Sequence, residues 1–551
     1  MTDLPFGARV GMQPVQLRVT VCKPDGAGER EISFNPAAGA VSDALADIAF
    51  SFDGEVMEVS ITPSEPVLVE AYALELRHAF ATEEKVLLNG YQSWTDTVER
   101  SPWAHMRGLL NVPNALVDRF VLDGGGDYRF HKYKWARGLQ HGYTYATFRR
   151  GEGMVLLGSL DESAGFTKIS IEAKSGRVIL ETECPQGVLE AGRPYTLGRY
   201  AITRGVLEDC YDRYFELAGI SARARRKIVG YGSWYRHYGD IDETKLASDL
   251  AGEVAALPPL LDEALAKAAA AGRDCEAPIK LFQIDDGYCK VGDWLDLDAA
   301  KFPNGVAPLA QAARNVGFLP GLWIAPFVCE KDSRIFTEHE DWLLHDADGA
   351  PVPTGSHWTG GYALDTRNTE VRTYILEVLQ TMVDEWGFGL LKADFLYAAC
   401  MIPHDGMNRG QLMADAVDLL RRGAGDECLI LGCGVPLGSA FGRFDYCRIG
   451  CDVGLDWDDV PPMRALHRER VSTKWSLANT FGRAPLDGRA FGNDPDVFFL
   501  RRDVKHSLFQ RDALLFADAD LGSVLLTSDD MGDWDDEQLG RYRQALKLFL
   551  E

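Results

Sequence analysis

The chain has 551 residues, 46% of them hydrophobic and 10% aromatic, with 57 basic against 82 acidic side chains for a net charge of −25. That length suits two or three globular domains and excludes a disordered or fibrous chain. The acidic excess repels nucleic-acid phosphates and anionic membrane surfaces, so no nucleic acid or membrane is expected as a partner, and a neutral or cationic ligand fits better.

The opening residues, Met1 to Arg9, lack a charged stretch followed by an apolar core, and no apolar run reaches the ~18 residues of a membrane span. Eleven cysteines are scattered from Cys22 to Cys451 without a Cys-x-x-Cys pair, which argues against a disulfide framework or a zinc site. A reducing cytoplasm is the expected setting.

From residue 1 to about 205 the sequence is built of short alternating apolar runs, such as Val15 to Val21, Glu55 to Ile61, Val67 to Leu76 and Arg177 to Glu181. Period-two alternation broken by turns predicts an antiparallel β-sandwich, with little helical spacing anywhere in it. The segment Asn89-Gly90-Tyr91-Gln92-Ser93-Trp94 sets two aromatics beside a turn-forming Asn-Gly. Tryptophan most often fills a core, but its face is also what a sugar ring stacks on.

Residues 206 to 227 carry Leu207, Tyr211, Tyr214 and Phe215 at helical spacing, followed by the basic run Arg223 to Lys227, and are read as a linker helix with a solvated basic end. From 228 to 551, apolar runs alternate with helical stretches. The runs are Ile228 to Trp234, Ile279 to Ile284, Phe318 to Ala325, Phe388 to Ala393, Cys428 to Gly432, Tyr446 to Gly450, Arg489 to Phe491 extending towards Asn493, and Val524 to Thr527. Eight strands with helices between them predict a (β/α)8 TIM barrel behind the sandwich. An amphipathic helix, Asp536 to Phe549, closes the chain and leaves no room for a third domain.

Barrel enzymes carry their chemistry at the carboxyl ends of the strands, and polar groups gather there. The second run ends in Asp285-Asp286, the third carries Trp323, the fourth Lys392-Ala393-Asp394, the fifth reaches Cys433, and the sixth contains Arg448 and stops at Asp452. Each has a plain alternative: adjacent aspartates cap helices, and Lys392 with Asp394, on one face of a strand, makes a buried ion pair. Their coincidence over five strand ends favours an active site.

Asp394 and Asp452 suit glycoside hydrolysis, which needs one ionised and one protonated carboxyl. Lys392 is expected to hold Asp394 ionised, and the apolar Ile449 and Val453 to desolvate Asp452, with Arg448 opposing. Asp285, Asp286 and Lys392 suit sugar hydroxyls, and Trp323 offers a pyranose an apolar face. No phosphate loop, metal cluster or Ser-His-Asp spacing competes, His237, His339 and His404 each standing alone.

Taken with Gln283-Ile284-Asp285-Asp286-Gly287-Tyr288, Gly321-Leu322-Trp323-Ile324-Ala325-Pro326, Leu391 to Phe395 and Arg448 to Asp452, the segment Asn89 to Trp94 resembles the glycoside hydrolase family 36 α-galactosidases. The resemblance implies a retaining exo-α-galactosidase acting on small oligosaccharides, with Asp394 as nucleophile and Asp452 as general acid/base. It implies that Asp285, Asp286, Trp323, Lys392, Cys433 and Arg448 bind the terminal galactose and that Trp94 reaches in from the sandwich. No metal or organic cofactor is implied, and a monomer or an oligomer is compatible. An α-N-acetylgalactosaminidase, another α-glycosidase or a transglycosylase remains open, as does a non-catalytic sugar-binding barrel. The carboxyl-terminal β-domain usual in the family has no counterpart, and Gly434 to Pro436 and Gly454 to Trp457 match no family motif.

Overall fold

A computed structural model describes residues 11–133, 135–223, 226–461, 463–465 and 467–551. The opening segment read for a leader, and Ala224 and Arg225 of the basic run, lie outside them. Among the described residues no helix is long and apolar enough to cross a membrane.

Two antiparallel sheets come first. One has six strands in the spatial order Arg30–Phe34, Gln13–Cys22, Leu68–Arg77, Arg177–Thr182, Thr167–Glu172 and Leu139–Tyr143. The other has seven, ordered Ala40–Ser42, Ala46–Phe52, Val56–Pro63, Tyr195–Gly205, Gly153–Ser159, Tyr145–Arg150 and Lys85–Leu88. Alternation turns one row of each sheet inward: Leu17, Val19 and Leu74 meet Val59, Ile61, Val155 and Leu157 in a shared core, the arrangement of a sandwich.

Where little helical spacing is readable the structure nonetheless has the helix Asn114–Phe120, which lies in a long excursion between the strands Lys85–Leu88 and Leu139–Tyr143. None of its side chains is buried, so there was no apolar stripe to read. The helix expected over 206–227 spans Leu207–Ala218 and stops at Gly219, whose φ of 66° provides the left-handed turn that caps it.

The third sheet is parallel throughout. Its strands, numbered here as barrel strands 1 to 8, are Ile228–Gly232, Ile279–Ile284, Leu319–Ile324, Leu390–Ala393, Leu429–Gly432, Tyr446–Arg448, Gly492–Asp494 continued by Val497–Phe498, and Val524–Thr527. Strand 7 begins at Gly492, in the expected extension of Arg489 to Phe491 towards Asn493, and runs on past it. It is also broken. Pro495 has no amide hydrogen to give a ladder, and Asp496 stands at φ 90°, so the halves separate. The first half pairs with strand 6 and the second with strand 8, and through this one segment the sheet closes into a ring.

A helix follows every barrel strand except the fifth, after which there is only the short turn Leu437–Ala440. The linker helix fills that place: Phe215 packs its ring 5.4 Å from Phe441, and Tyr211, Tyr214 and Phe215 join the barrel's own apolar core. The sandwich excursion is stitched to the same side, with the Ser93 amide donating to the Val435 carbonyl at 3.0 Å.

A buried arginine is one of the ties across this junction. Arg483, at the end of the helix Thr473–Arg483 and fully buried, spends its hydrogen bonds on neutral acceptors. Its guanidinium donates to Asn89 Oδ1 (3.1 Å), to the carbonyls of Gln92 (3.2 Å) and Ser93 (2.5 Å), and to the Ile449 carbonyl (2.9 Å). Burial pulls its pKa down to about 10, which leaves it charged at neutral pH. Arg483→Met takes this donor from Asn89, Ser93 and Ile449, while the Gln92 carbonyl keeps the Thr95 amide at 3.0 Å, a change that costs about 3 kcal/mol. We expect a lower thermal midpoint for it by calorimetry, and an unchanged midpoint for Phe481→Ala, whose side chain is 61% exposed on the same helix.

Candidate active site

A cavity of about 310 Å³ opens over the carboxyl ends of the barrel strands. Of the nine residues singled out in the sequence, Trp94, Asp285, Asp286, Trp323, Lys392, Asp394 and Asp452 line it, while Cys433 and Arg448 do not. A larger cavity of about 820 Å³ lies between the sandwich and residues 401–409, and none of the strand-end carboxylates lines it.

Asp394 follows the last residue of strand 4, where the chain turns abruptly: Phe395 sits in the left-handed region at φ 52°, a strained place for a residue with a large side chain. The turn brings the Phe395 amide back to Asp394 Oδ1 at 2.8 Å, and Trp323 Nε1 donates to Oδ2 at 3.1 Å. Each oxygen thus has a neutral donor fixed on it. Gly434 makes room for the turn, since a Cβ there would lie 3.0 Å from the Trp94 ring and 3.1 Å from the Phe395 backbone.

Lys392 does not make its direct bond to Asp394. Its ammonium donates to Asp285 Oδ2 at 2.8 Å, across the strand between them, and Gln283 Nε2 donates to the same oxygen at 2.7 Å. Sharing a strand face with Asp394 was correct for the face and insufficient for the pairing, because the ammonium reaches past its own strand. Asp286 accepts from Trp358 Nε1 at 2.7 Å, and burial pushes its pKa up to about 6.

Asp452 lies beyond the end of strand 6, with its side chain 40% exposed to the cavity. Enclosure by the cavity walls raises its pKa, and the charges of Asp394 and Asp285 add to that rise, while Arg448 and Lys392 oppose it. Arg448 is buried beneath the cavity and divides its donors among three carboxylates: Asp452 at 2.9 Å, Asp494 at 3.2 Å and Asp496 at 2.8 Å. Asp496 also accepts from the Tyr235 hydroxyl at 2.5 Å and the Val453 amide at 2.9 Å, and burial lifts its pKa to about 7. Cys433 is buried at the end of strand 5 and takes the Trp94 indole hydrogen on its sulfur at 3.2 Å. It fixes the tryptophan that the sandwich sends into the cavity.

Sequence reasoning passed over Trp234, His357, Trp358 and Glu469 in the cavity wall, and Asp494 and Asp496 below it. His357, Trp358 and Glu469 come from loops whose course no periodicity reports. The Asp494-Pro495-Asp496 run was visible as a turn signal at a strand end and was the one available clue. Glu469 accepts from Thr95 and Tyr128, both at 2.8 Å, and burial raises its pKa to about 7.

With the site in view, residues 262–411 match the melibiase family profile. Alpha-galactosidase 2 of Pediococcus pentosaceus is 32% identical over 124 residues, 21% of this chain and 17% of that protein. The matched stretch thus spans less than a fifth of that relative. Among solved structures, the α-galactosidase TtGalA of Thermus thermophilus, in complex with p-nitrophenyl α-D-galactopyranoside, superposes with a TM-score of 0.68 at 26% identity over 92% of this chain and 94% of its own. The GH36 α-galactosidase AgaA of Geobacillus stearothermophilus shares the fold, with a TM-score of 0.58 at 14% identity over 96% of this chain and 75% of its own.

The raised carboxyls give the fold a pH signature. Asp286, Asp496 and Glu469 keep protons in the folded state that they release in the unfolded one between about pH 4 and their folded values of about 6, 7 and 7. More protons bound when folded means stability that is present at low pH and lost as pH rises through those values. A Tm series from pH 4.5 to 7.5 is expected to show this loss, and Glu469→Gln, which keeps the hydrogen-bonding shape without the proton, is expected to make the slope shallower.

Proposed function

We propose that this chain, which is similar to the melibiase, GH36-type α-galactosidases, is a retaining exo-α-galactosidase that removes terminal α-linked galactose from small oligosaccharides. The observation that carries this reading is the pair Asp394 and Asp452, two carboxyls in one cavity with opposite surroundings. Asp394 has a fixed donor on each oxygen and suits an ionised nucleophile. Asp452 has its pKa raised by enclosure and suits a proton donor.

In the first step an Asp394 oxygen bonds to the anomeric carbon while Asp452 gives its proton to the departing glycosidic oxygen, which leaves as an alcohol. In the second, Asp452 takes a proton from water, whose oxygen displaces Asp394 from the same carbon and restores both carboxyls. Two inversions give retention. Lys392, Asp285 and Asp286 supply donors and acceptors for the galactose hydroxyls, and Trp94 and Trp323 the apolar walls for its ring. Arg448, shared among three carboxylates, orients Asp452 without committing its full charge to it, which leaves the proton on. All eleven cysteines are free, which supports our placing the enzyme in a reducing compartment such as the cytoplasm.

The test is hydrolysis of p-nitrophenyl α-D-galactopyranoside followed by proton NMR of the released sugar. We expect the α-anomer first, and a loss of roughly four orders of magnitude in kcat for Asp394→Ala. A β-anomer first, or near wild-type turnover by Asp394→Ala, overturns the mechanism. Faster cleavage of the matching N-acetylgalactosaminide or α-glucoside overturns the choice of sugar.

A further inference from the structure

A chain with a net charge of −25 carries a basic island where sandwich and barrel meet. Its centre is Trp475, half-buried in the first turn of the helix Thr473–Arg483. Three guanidinium carbons lie around that indole, Arg107 at 5.6 Å, Arg100 at 5.9 Å and Arg470 at 6.0 Å from the ring centroid. Arg100 and Arg107 come from the sandwich excursion, and Arg470 from the barrel loop after strand 6.

Too few carboxylates face them. Asp96 is shared by Arg100 and Arg468, and Asp458 by Arg470 at 2.6 Å and Arg464 at 3.3 Å. Glu469, beside them in the chain, turns to Thr95 and Tyr128 instead. Arg107 has the indole and, among the described residues, no ion pair. Burial lowers its pKa, and the Arg470 and Arg100 charges push the same way against Asp96 and Asp458. Its backbone is pinned all the same: the Arg107 carbonyl accepts from the Tyr133 hydroxyl, and the Gly108 carbonyl from the Trp135 indole at 3.1 Å.

A half-buried guanidinium that is held in place, repelled by two others and given no counter-ion is short of an anion. Salt screens charges beyond about 8 Å, so the local excess of arginine, and not the acidic whole, decides which ion is drawn here. Guanidinium forks suit oxyanions, whose paired oxygens accept their parallel N–H groups.

We propose that this cluster binds an oxyanion of the phosphate or sulfate class, with Arg107 as its main donor and Arg100 and Arg470 beside it. Such an ion links the excursion to the loop whose Glu469 and Val471 wall the active cavity, Arg470 standing between those two in the chain. The site is independent of which sugar the enzyme cuts.

The experiment is calorimetric titration of inorganic phosphate into the full chain at constant ionic strength, with chloride as the balancing anion. We expect a dissociation constant on the order of 1 mM, the yield of two or three charge-assisted hydrogen bonds, weakened roughly tenfold in Arg107→Met and partly recovered in Arg107→Lys. Arg30→Met, on the sandwich strand Arg30–Phe34, is expected to bind as the wild type does. In chloride alone Arg107→Met is expected to keep or raise the thermal midpoint, because it removes a repelled charge. Phosphate is then expected to raise the midpoint of the wild type and not of the variant. An equal loss of midpoint by Arg107→Met in both buffers marks a purely structural arginine and overturns the proposal. So does an absence of binding at tens of millimolar phosphate, or equal binding by Arg107→Met. Glycerol phosphate that binds more tightly than inorganic phosphate upholds the site and assigns it a metabolite's phosphate group, and weaker binding assigns it the free ion. A dimer that forms without added anion and separates in Arg107→Met overturns the small ion in favour of a second copy's carboxylates.

Discussion

Six carboxyl groups meet two cations at the mouth of the barrel, and much of the local structure follows from that imbalance. Lys392 and Arg448 face Asp285, Asp286, Asp394, Asp452, Asp494 and Asp496, most of them buried. Buried charges are tolerated when paired or hydrogen-bonded, and otherwise keep their protons. The cations are therefore spread thinly: Lys392 goes to Asp285, and Arg448 is divided among three carboxylates. Asp394 is left to neutral donors, an indole and an amide. Where burial outweighs such thin pairing the carboxyls hold protons, as the raised pKa values of Asp286, Asp452 and Asp496 record. Surplus negative charge with proton-bearing carboxyls suits the reaction we propose, which develops positive charge on a sugar ring and needs an acid beside it.

The second constraint is geometric. A barrel without its fifth helix exposes the side of strands 5 and 6, and the chain covers it with the linker helix and the excursion that carries Trp94. The cover also delivers a functional side chain: the linker helix buries Phe215 against Phe441, and the excursion brings the Trp94 ring to the cavity, where Cys433 and Phe395 hold it. Arg483 joins the two by tying the Gln92 and Ser93 carbonyls to that of Ile449, three residues before Asp452.

Much of this was legible from residue order. Parallel strands buried on both faces gave continuous apolar runs, so most barrel strands were read near their places, and the carboxyl-end rule then collected Asp285, Asp286, Trp323, Lys392, Asp394 and Asp452 into one cavity. Strand 7 was caught only by the extension towards Asn493, because its two halves are too short to form a run, with Pro495 and Asp496 between them. The partner of Lys392 was hidden because cross-strand reach depends on register, which a single sequence does not state. Trp358 and Glu469 were hidden for a related reason: their loops are long and irregular, and only the folded backbone brings them to the cavity.

The missing fifth helix bears on how such a chain could be cut or recombined. A fragment beginning at Ile228 would present Phe441 and Tyr446 without the linker-helix cover and the backbone partner they meet in the fold, Tyr446 having its hydroxyl on the Arg226 carbonyl. Grafting this barrel behind a different β-domain would have to carry along the linker helix and the Asn89 to Trp94 loop, since the barrel wall is completed only by residues that precede it in the chain.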